Sequence, residues 1–175
     1  ISKDRLEDCI NSDLANNYGN LCQRVTAFTE KNCASKIPTI SEFNIDDLAM
    51  LNKFTKNLTT LRNEIDNQNI NFYIDFIINA LFEANKYFND HEPWKKKDDK
   101  KRLNTIVYTS LEMIRKISFM LYPIIPDSAK KALTIFDLKI EDINFESIGS
   151  HYFLKSGKNI NKIDILFKKI EKKND

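Results

Sequence analysis

Asn20 and Arg24 stand four residues apart, with Asn16 a further four before them. On a helix all three project along one line that flanks the apolar stripe. An amide both donates and accepts, and a guanidinium offers a planar fork of donors plus a charge. Side by side they could read the edge of a nucleobase. The plainer alternative makes them boundary residues of an amphipathic helix, and with 20 Asn in the chain a single Asn points weakly. Much later comes Pro93-Trp94, which carries the chain's only Trp. An indole held behind a proline at a helix junction could stack an unpaired base, worth ~1–3 kcal/mol per base. It could equally plug the core as a lid. Lys95, Lys96, Lys97, Lys100, Lys101 and Arg102 follow, interrupted by Asp98 and Asp99. Basic residues beside an aromatic suit a single-stranded nucleic-acid path, although each alone could be a solvated first helical turn. Lysines in a first turn oppose the helix dipole, which favours an external anionic partner.

Other chemistries lack their residues. The sequence shows no Ser/His/Asp constellation and no Gly-x-Gly-x-x-Gly. Gly157-Lys158 hints at a phosphate loop, but such a loop needs glycine where Tyr152 stands. Cys9, Cys22 and Cys33 are odd in number and widely spaced, and His91 and His151 have no ligand-like companions. A disulfide framework and a zinc site are therefore not expected, and a reducing compartment fits better. The balance of 27 basic against 25 acidic residues, with a pI near 8.3, neither demands nor forbids a polyanionic partner. With a mean hydropathy of −0.46 and only short apolar runs, no membrane span is expected. The start at Ile1 lacks an apolar signal core and reads as a piece cut from a longer protein.

The elements that must position these residues are helical. Leu14, Tyr18, Leu21, Val25 and Phe28 recur at helical spacing, so a first helix is expected over Lys3–Asn32, with Gly19 marking a close approach or a bend. Ile45, Leu48, Leu51, Leu58, Leu61 and Ile65 mark a second helix to Asp66, capped by Asn44. A third, about Asn71–Asn89, is apolar over so wide a face that it belongs in the centre of a bundle or offers a docking stripe. A fourth is expected to begin within Lys95–Asp99 and end at Tyr122 before Pro123, and a short fifth to span Asp127–Phe136. The fold class is all-α. It comprises a bundle of about five helices over residues 1–136, with a less regular extension, 137–175, packed on it and ending in a mobile basic tail. Ile163–Ile170 could close as a last turn or two of helix.

Two separated strings carry a resemblance. Asn11-Ser12-Asp13-Leu14-Ala15-Asn16-Asn17-Tyr18-Gly19-Asn20-Leu21-Cys22-Gln23-Arg24 is similar to the segment that opens the helical anticodon-binding domain of methionyl-tRNA synthetases. Ala84-Asn85-Lys86-Tyr87-Phe88-Asn89-Asp90-His91-Glu92-Pro93-Trp94 resembles that family's Ala-Asn-x-Tyr…Pro-Trp block. Ile117 to Leu133 and Leu166 to Glu171 are similar to later family segments. The resemblance implies that Trp94 stacks on the cytosine that begins the methionine anticodon. It further implies that Asn20 and Arg24 contact that base and its neighbours, and that Pro93 fixes the loop. Lys95, Lys96, Lys97, Lys100 and Lys101 are then candidates for RNA backbone contacts.

The implied partners are the anticodon loop of tRNA(Met) and the catalytic domain of the same polypeptide, in the cytoplasm and with no membrane. The implied parent is a ligase that joins methionine to tRNA using ATP with Mg. This chain lacks the His-Ile-Gly-His and Lys-Met-Ser-Lys-Ser signatures and the cysteine-rich zinc insertion, so it is expected to be inactive alone and to hold no cofactor or metal. Asn89 stands where the family often has Asp, and Lys168-Lys169 where it usually has Pro-Arg. The competing expectations are the equivalent bundle of a leucine, isoleucine, valine or cysteine enzyme, and a helical scaffold that binds protein through an exposed apolar stripe.

Overall fold

A computed structural model describes residues 3–8, 14 and 16–163. The helices are α1 (Lys3–Asp8), α2 (Gly19–Asn32), α3 (Ile45–Asp66), α4 (Ile70–His91), α5 (Lys100–Leu121), α6 (Pro126–Leu133) and α7 (Phe145–Gly149). Single 3₁₀ turns lie at Pro93–Lys95, Thr134–Phe136 and Ile140–Asp142. Helix α5 is the axis of the bundle. Every residue from Thr105 to Ser118 is buried, and α2, α3, α4 and α6 all pack on it. Its hydroxyls survive burial because they turn back on their own helix: Thr105, Thr109, Ser110 and Ser118 each donate to the carbonyl four residues earlier, at 2.6–2.9 Å.

Helix starts follow local chemistry. Asn44 caps α3 through a reciprocal pair, in which its side chain accepts from the Asp47 N–H at 3.0 Å and Asp47 accepts from the Asn44 N–H at 2.9 Å. Asn69 and Asp99 cap α4 and α5. Helix α4 ends on Glu92, which adopts a left-handed conformation (φ 45°, ψ 60°), and Pro93 then opens the 3₁₀ turn that carries Trp94. The buried face of α4 includes Tyr73, Ile77, Ala80, Leu81, Ala84 and Phe88. The wide apolar face is therefore spent inside the bundle. Ile70, Phe72 and Phe82 remain exposed, but Phe82 lies ten residues and about 15 Å along the axis from Phe72, so the three make no continuous docking stripe.

Residues 137–163 join the same core. Ile143, Ile148, Leu154, Ile160 and Ile163 are buried with the helices, and Asn159 forms an isolated antiparallel bridge with Lys36. A buried polar cluster fastens this segment to α5. Glu112 accepts from Arg115 Nε at 2.7 Å and from the Leu154 N–H at 2.9 Å. Arg115 also donates to the carbonyls of Ser147 and Ser150, at 3.1 and 3.0 Å. Lys116 donates to the Ile148 carbonyl at 2.5 Å and meets His151 Nδ1 at 3.1 Å. Burial foremost, then Arg115, pulls the Lys116 ammonium down to about 8, against the opposing pull of Glu112.

Three boundaries depart from the periodicity. Within the expected first helix, α1 covers Lys3–Asp8, and residues 16–18 wind as a wide π-type turn before α2 begins at Gly19. Among the described residues a Cβ added at Gly19 would meet nothing within 4 Å, so no close approach is seen there. The fourth helix starts at Lys100 rather than within Lys95–Asp99, because Asp99 supplies the cap. The fifth ends as an α-helix at Leu133 and tightens to a 3₁₀ turn through Phe136. The expected closing turn at Ile163–Ile170 and the basic tail with Lys168, Lys169, Lys172 and Lys173 lie outside the described residues from Asp164 onward, as does the segment Asn11–Asp13.

Candidate nucleic-acid interface

The start of α2 is pinned from two sides. The Tyr18 hydroxyl meets that of Ser118 on α5 at 2.5 Å. Asn85 of α4 donates to the Asn17 carbonyl at 3.1 Å. This fixes the first turn of α2, where Asn20 is exposed, and Arg24 follows one turn later, half-buried.

Arg24 is held by two consecutive residues of α4. Its guanidinium carbon lies 5.3 Å from the Phe88 ring centroid, a cation–π contact. Its Nη2 donates to Asn89 Oδ1 at 2.5 Å. At this position the chain thus offers Arg24 a neutral acceptor. Phe88 also receives Trp94, whose ring centroid lies 6.0 Å away at an interplanar angle of 61°. Phe28 closes the set at 5.8 Å and 84°. Trp94 itself is 40% exposed, and the Pro93 before it is buried. The indole is therefore neither a core lid nor a loose surface ring. It leans on a buried aromatic and leaves about two-fifths of its surface to solvent. The structure brings Trp94 and Arg24 together around one ring, with Asn20 on the same helix as Arg24.

Beneath this corner lies a buried ion pair that the sequence reading missed. Asp47, fully buried, accepts both Arg102 Nη1 at 2.7 Å and Nη2 at 2.9 Å. The Tyr87 hydroxyl donates to the same carboxylate. Burial pushes the Asp47 carboxyl up, but bonds from Arg102, Tyr87 and the Asn44 N–H, with the Arg102 charge, outweigh it and hold the group below the usual carboxylate range. Burial and then Arg102 lower the His91 pKa. The neutral ring can thus accept from Arg102 Nη2 at Nδ1, 3.2 Å away. The network ties the first turn of α3 to the last turns of α4 and the first of α5, the helix ends that bracket the Trp94 turn. The Asn44-x-x-Asp47 capping pattern was visible in the sequence, but not the arginine 55 residues on.

The basic cluster divides on inspection. Arg102 turns inward to Asp47 and does not serve an external anion. Lys95, Lys96 and Lys97 lie in the turn before α5, so the dipole argument applies only to Lys100 and Lys101. Lys95 pairs with Glu92 at 3.0 Å, both exposed, and Lys100 donates to the Asn32 carbonyl at the end of α2, also at 3.0 Å. Lys97 and Lys101 are exposed and Lys96 partly so, and no side-chain partner for their ammonium groups is seen among the described residues. The described residues also hold no cluster of His, Cys, Asp and Glu suited to a metal ion, and no helix long and apolar enough to cross a membrane.

Residues 37–175 match the family described as the anticodon binding domain of methionyl tRNA ligase. The methionine–tRNA ligase of Rickettsia felis is 35% identical over 178 aligned residues, covering 98% of this chain and 34% of that protein. That of Brucella suis is 36% identical over 139 residues, 79% of this chain and 27% of that protein. The free-state crystal structure of Mycobacterium tuberculosis methionyl-tRNA synthetase matches with a TM-score of 0.86 at 28% identity, over 98% of this chain and 35% of that one. The chain thus spans about a third of the length of these relatives.

Proposed function

We infer the function from one premise: the chain belongs to the family of methionyl-tRNA ligase anticodon-binding domains. It acts as the tRNA-recognition module of a longer enzyme that joins methionine to tRNA(Met) with ATP in the cytoplasm. The module docks on the catalytic part of the same polypeptide, has no catalytic activity alone, and leaves ATP and Mg to that part. One observation carries the reading of the site: a half-exposed indole and a guanidinium converge on a single buried ring. An unstacked pyrimidine, the cytosine that opens the anticodon, stacks on the free surface of Trp94. Arg24, from the adjacent helix, and Asn20, one turn before it, supply the donors and the amide that check the base edge. Pro93 sets the entry of the Trp94 turn. Lys96, Lys97 and Lys101 face the phosphates, with Lys95 and Lys100 as weaker contributors because each already has a partner.

Trp94 is the only Trp, so its emission reports on the site without substitution. Titrating the chain with a methionine anticodon stem-loop is expected to quench that emission saturably. An unchanged emission with a folded circular-dichroism spectrum would overturn the reading.

A further inference from the structure

We propose that Phe88 is a positioning residue that makes Trp94 and Arg24 act as one reader, an inference that rests on the tRNA-binding reading above. The ring is only 2% exposed, so it acts through its neighbours rather than on RNA. Three groups use it at once. Arg24 places its cation 5.3 Å from the centroid, Trp94 meets it at 6.0 Å and 61°, and Phe28 at 5.8 Å and 84°. An aromatic ring has an electron-rich face and a positive edge, so a cation over the face and rings set at steep angles are all favourable together. A leucine would keep the site apolar at somewhat smaller bulk and supply neither the quadrupole nor the angular preference.

The consequence is pre-organisation. Arg24 is restrained from α4 twice, by Phe88 and by the amide oxygen of Asn89. A long side chain held in this way loses less freedom when it binds a base. Trp94 is on a three-residue 3₁₀ turn after a left-handed residue, so the Phe88 contact helps fix the angle at which its free surface is offered. The ring therefore carries selectivity for the first anticodon base as well as packing.

The test uses the whole 175-residue chain and two anticodon stem-loops, with cytosine or uridine at the first anticodon position. Phe88→Leu is expected to reduce the cytosine-to-uridine affinity ratio several-fold, within the ~2- to 30-fold that a cation–π contact is worth. In an Arg24→Met/Trp94→Ala background the same substitution is expected to leave the ratio unmoved, whereas a general loosening of the fold would weaken both RNAs alike. An unchanged ratio in Phe88→Leu overturns the proposal. Should Phe88→Leu not fold, additivity decides. With Phe88 in place, Arg24→Met and Trp94→Ala are expected to be non-additive in binding, and additive effects overturn the proposal. If Trp94→Ala binds the cytosine stem-loop as tightly as the parent chain, the underlying reading of the site has failed instead.

Discussion

Helix α5 passes through two buried charge clusters, about 20 Å apart along its length, and they are built on different plans. At its start, Asp47 and Arg102 balance each other, side chain to side chain, with Tyr87 and His91 completing the shell. In its middle, Glu112 faces both Arg115 and Lys116, and the surplus donors end on the main-chain carbonyls of Ser147, Ile148 and Ser150. The first cluster locks helix ends together beneath the Trp94 corner. The second takes up the carbonyls that end the short helix α7, those of Ser147 and Ile148, and that of Ser150 just beyond it. A balanced pair can set an angle between helices, whereas an unbalanced one can satisfy helix-end carbonyls that have no partner in their own helix.

The largest effect expected from this contrast is at the balanced pair. Arg102→Met leaves the Asp47 carboxylate buried and unpaired, and should cost ~3–5 kcal/mol in urea unfolding. A loss below about 1 kcal/mol would mean that water reaches Asp47 and that the pair does not organise the corner. Trp94→Ala should act in the opposite sense: stem-loop binding weakens by ~1–3 kcal/mol while the unfolding midpoint stays where it was. A shifted midpoint would make the indole part of the core after all.

The two clusters also respond to pH in different windows. The Asp47 pKa is lowered in the folded state, so the unfolded chain takes up its proton first as pH falls. Stability from this group is full above the ordinary carboxylate pKa of ~4 and is lost below it. The Lys116 pKa is lowered to about 8. Between there and the ordinary lysine value of ~10.4 the unfolded chain binds the extra proton, so this group makes stability rise with pH. Burial raises the Cys22 thiol, which opposes this in the same window, so the contribution shows as a difference. From pH ~8 to ~10.4 the parent chain should gain stability relative to Lys116→Met in urea midpoints, with the acid loss the same in both. A constant difference between the two chains across that window would mean that Lys116 does not titrate there. The smallest effect is at Glu92, whose positive φ suits glycine. Glu92→Gly should hold or raise stability, by ~1 kcal/mol at most, as read from the thermal midpoint, because only an exposed pair with Lys95 is lost. A clear loss would show that Glu92 does more than turn the chain.

Much of this architecture could be read from periodicity and caps. Asn44, Asp66 and Pro123 marked helix limits because capping and the missing proline N–H act locally, and α3 runs over the residues that the stripe indicated. The π-type winding at 16–18 is hidden in the sequence, since it keeps Leu14, Tyr18 and Leu21 all buried and so preserves the stripe. Arg102 looked like one more solvated cation because its partner is distant in sequence. Trp94, Asn20 and Arg24 were singled out by residue type and by resemblance. Phe88 passed for ordinary core: six residues and a left-handed turn separate it from Trp94, and no spacing rule brings two rings together across such a turn.

The most direct test of base stacking on Trp94 compares two anticodon stem-loops that differ only in the first anticodon nucleotide, one intact and one abasic, so that every phosphate is kept. Loss of the base is expected to abolish Trp94 quenching and to weaken binding by as much as Trp94→Ala does. Equal quenching and equal affinity for the two RNAs would contradict it, and would leave Trp94 beside an RNA that it does not read.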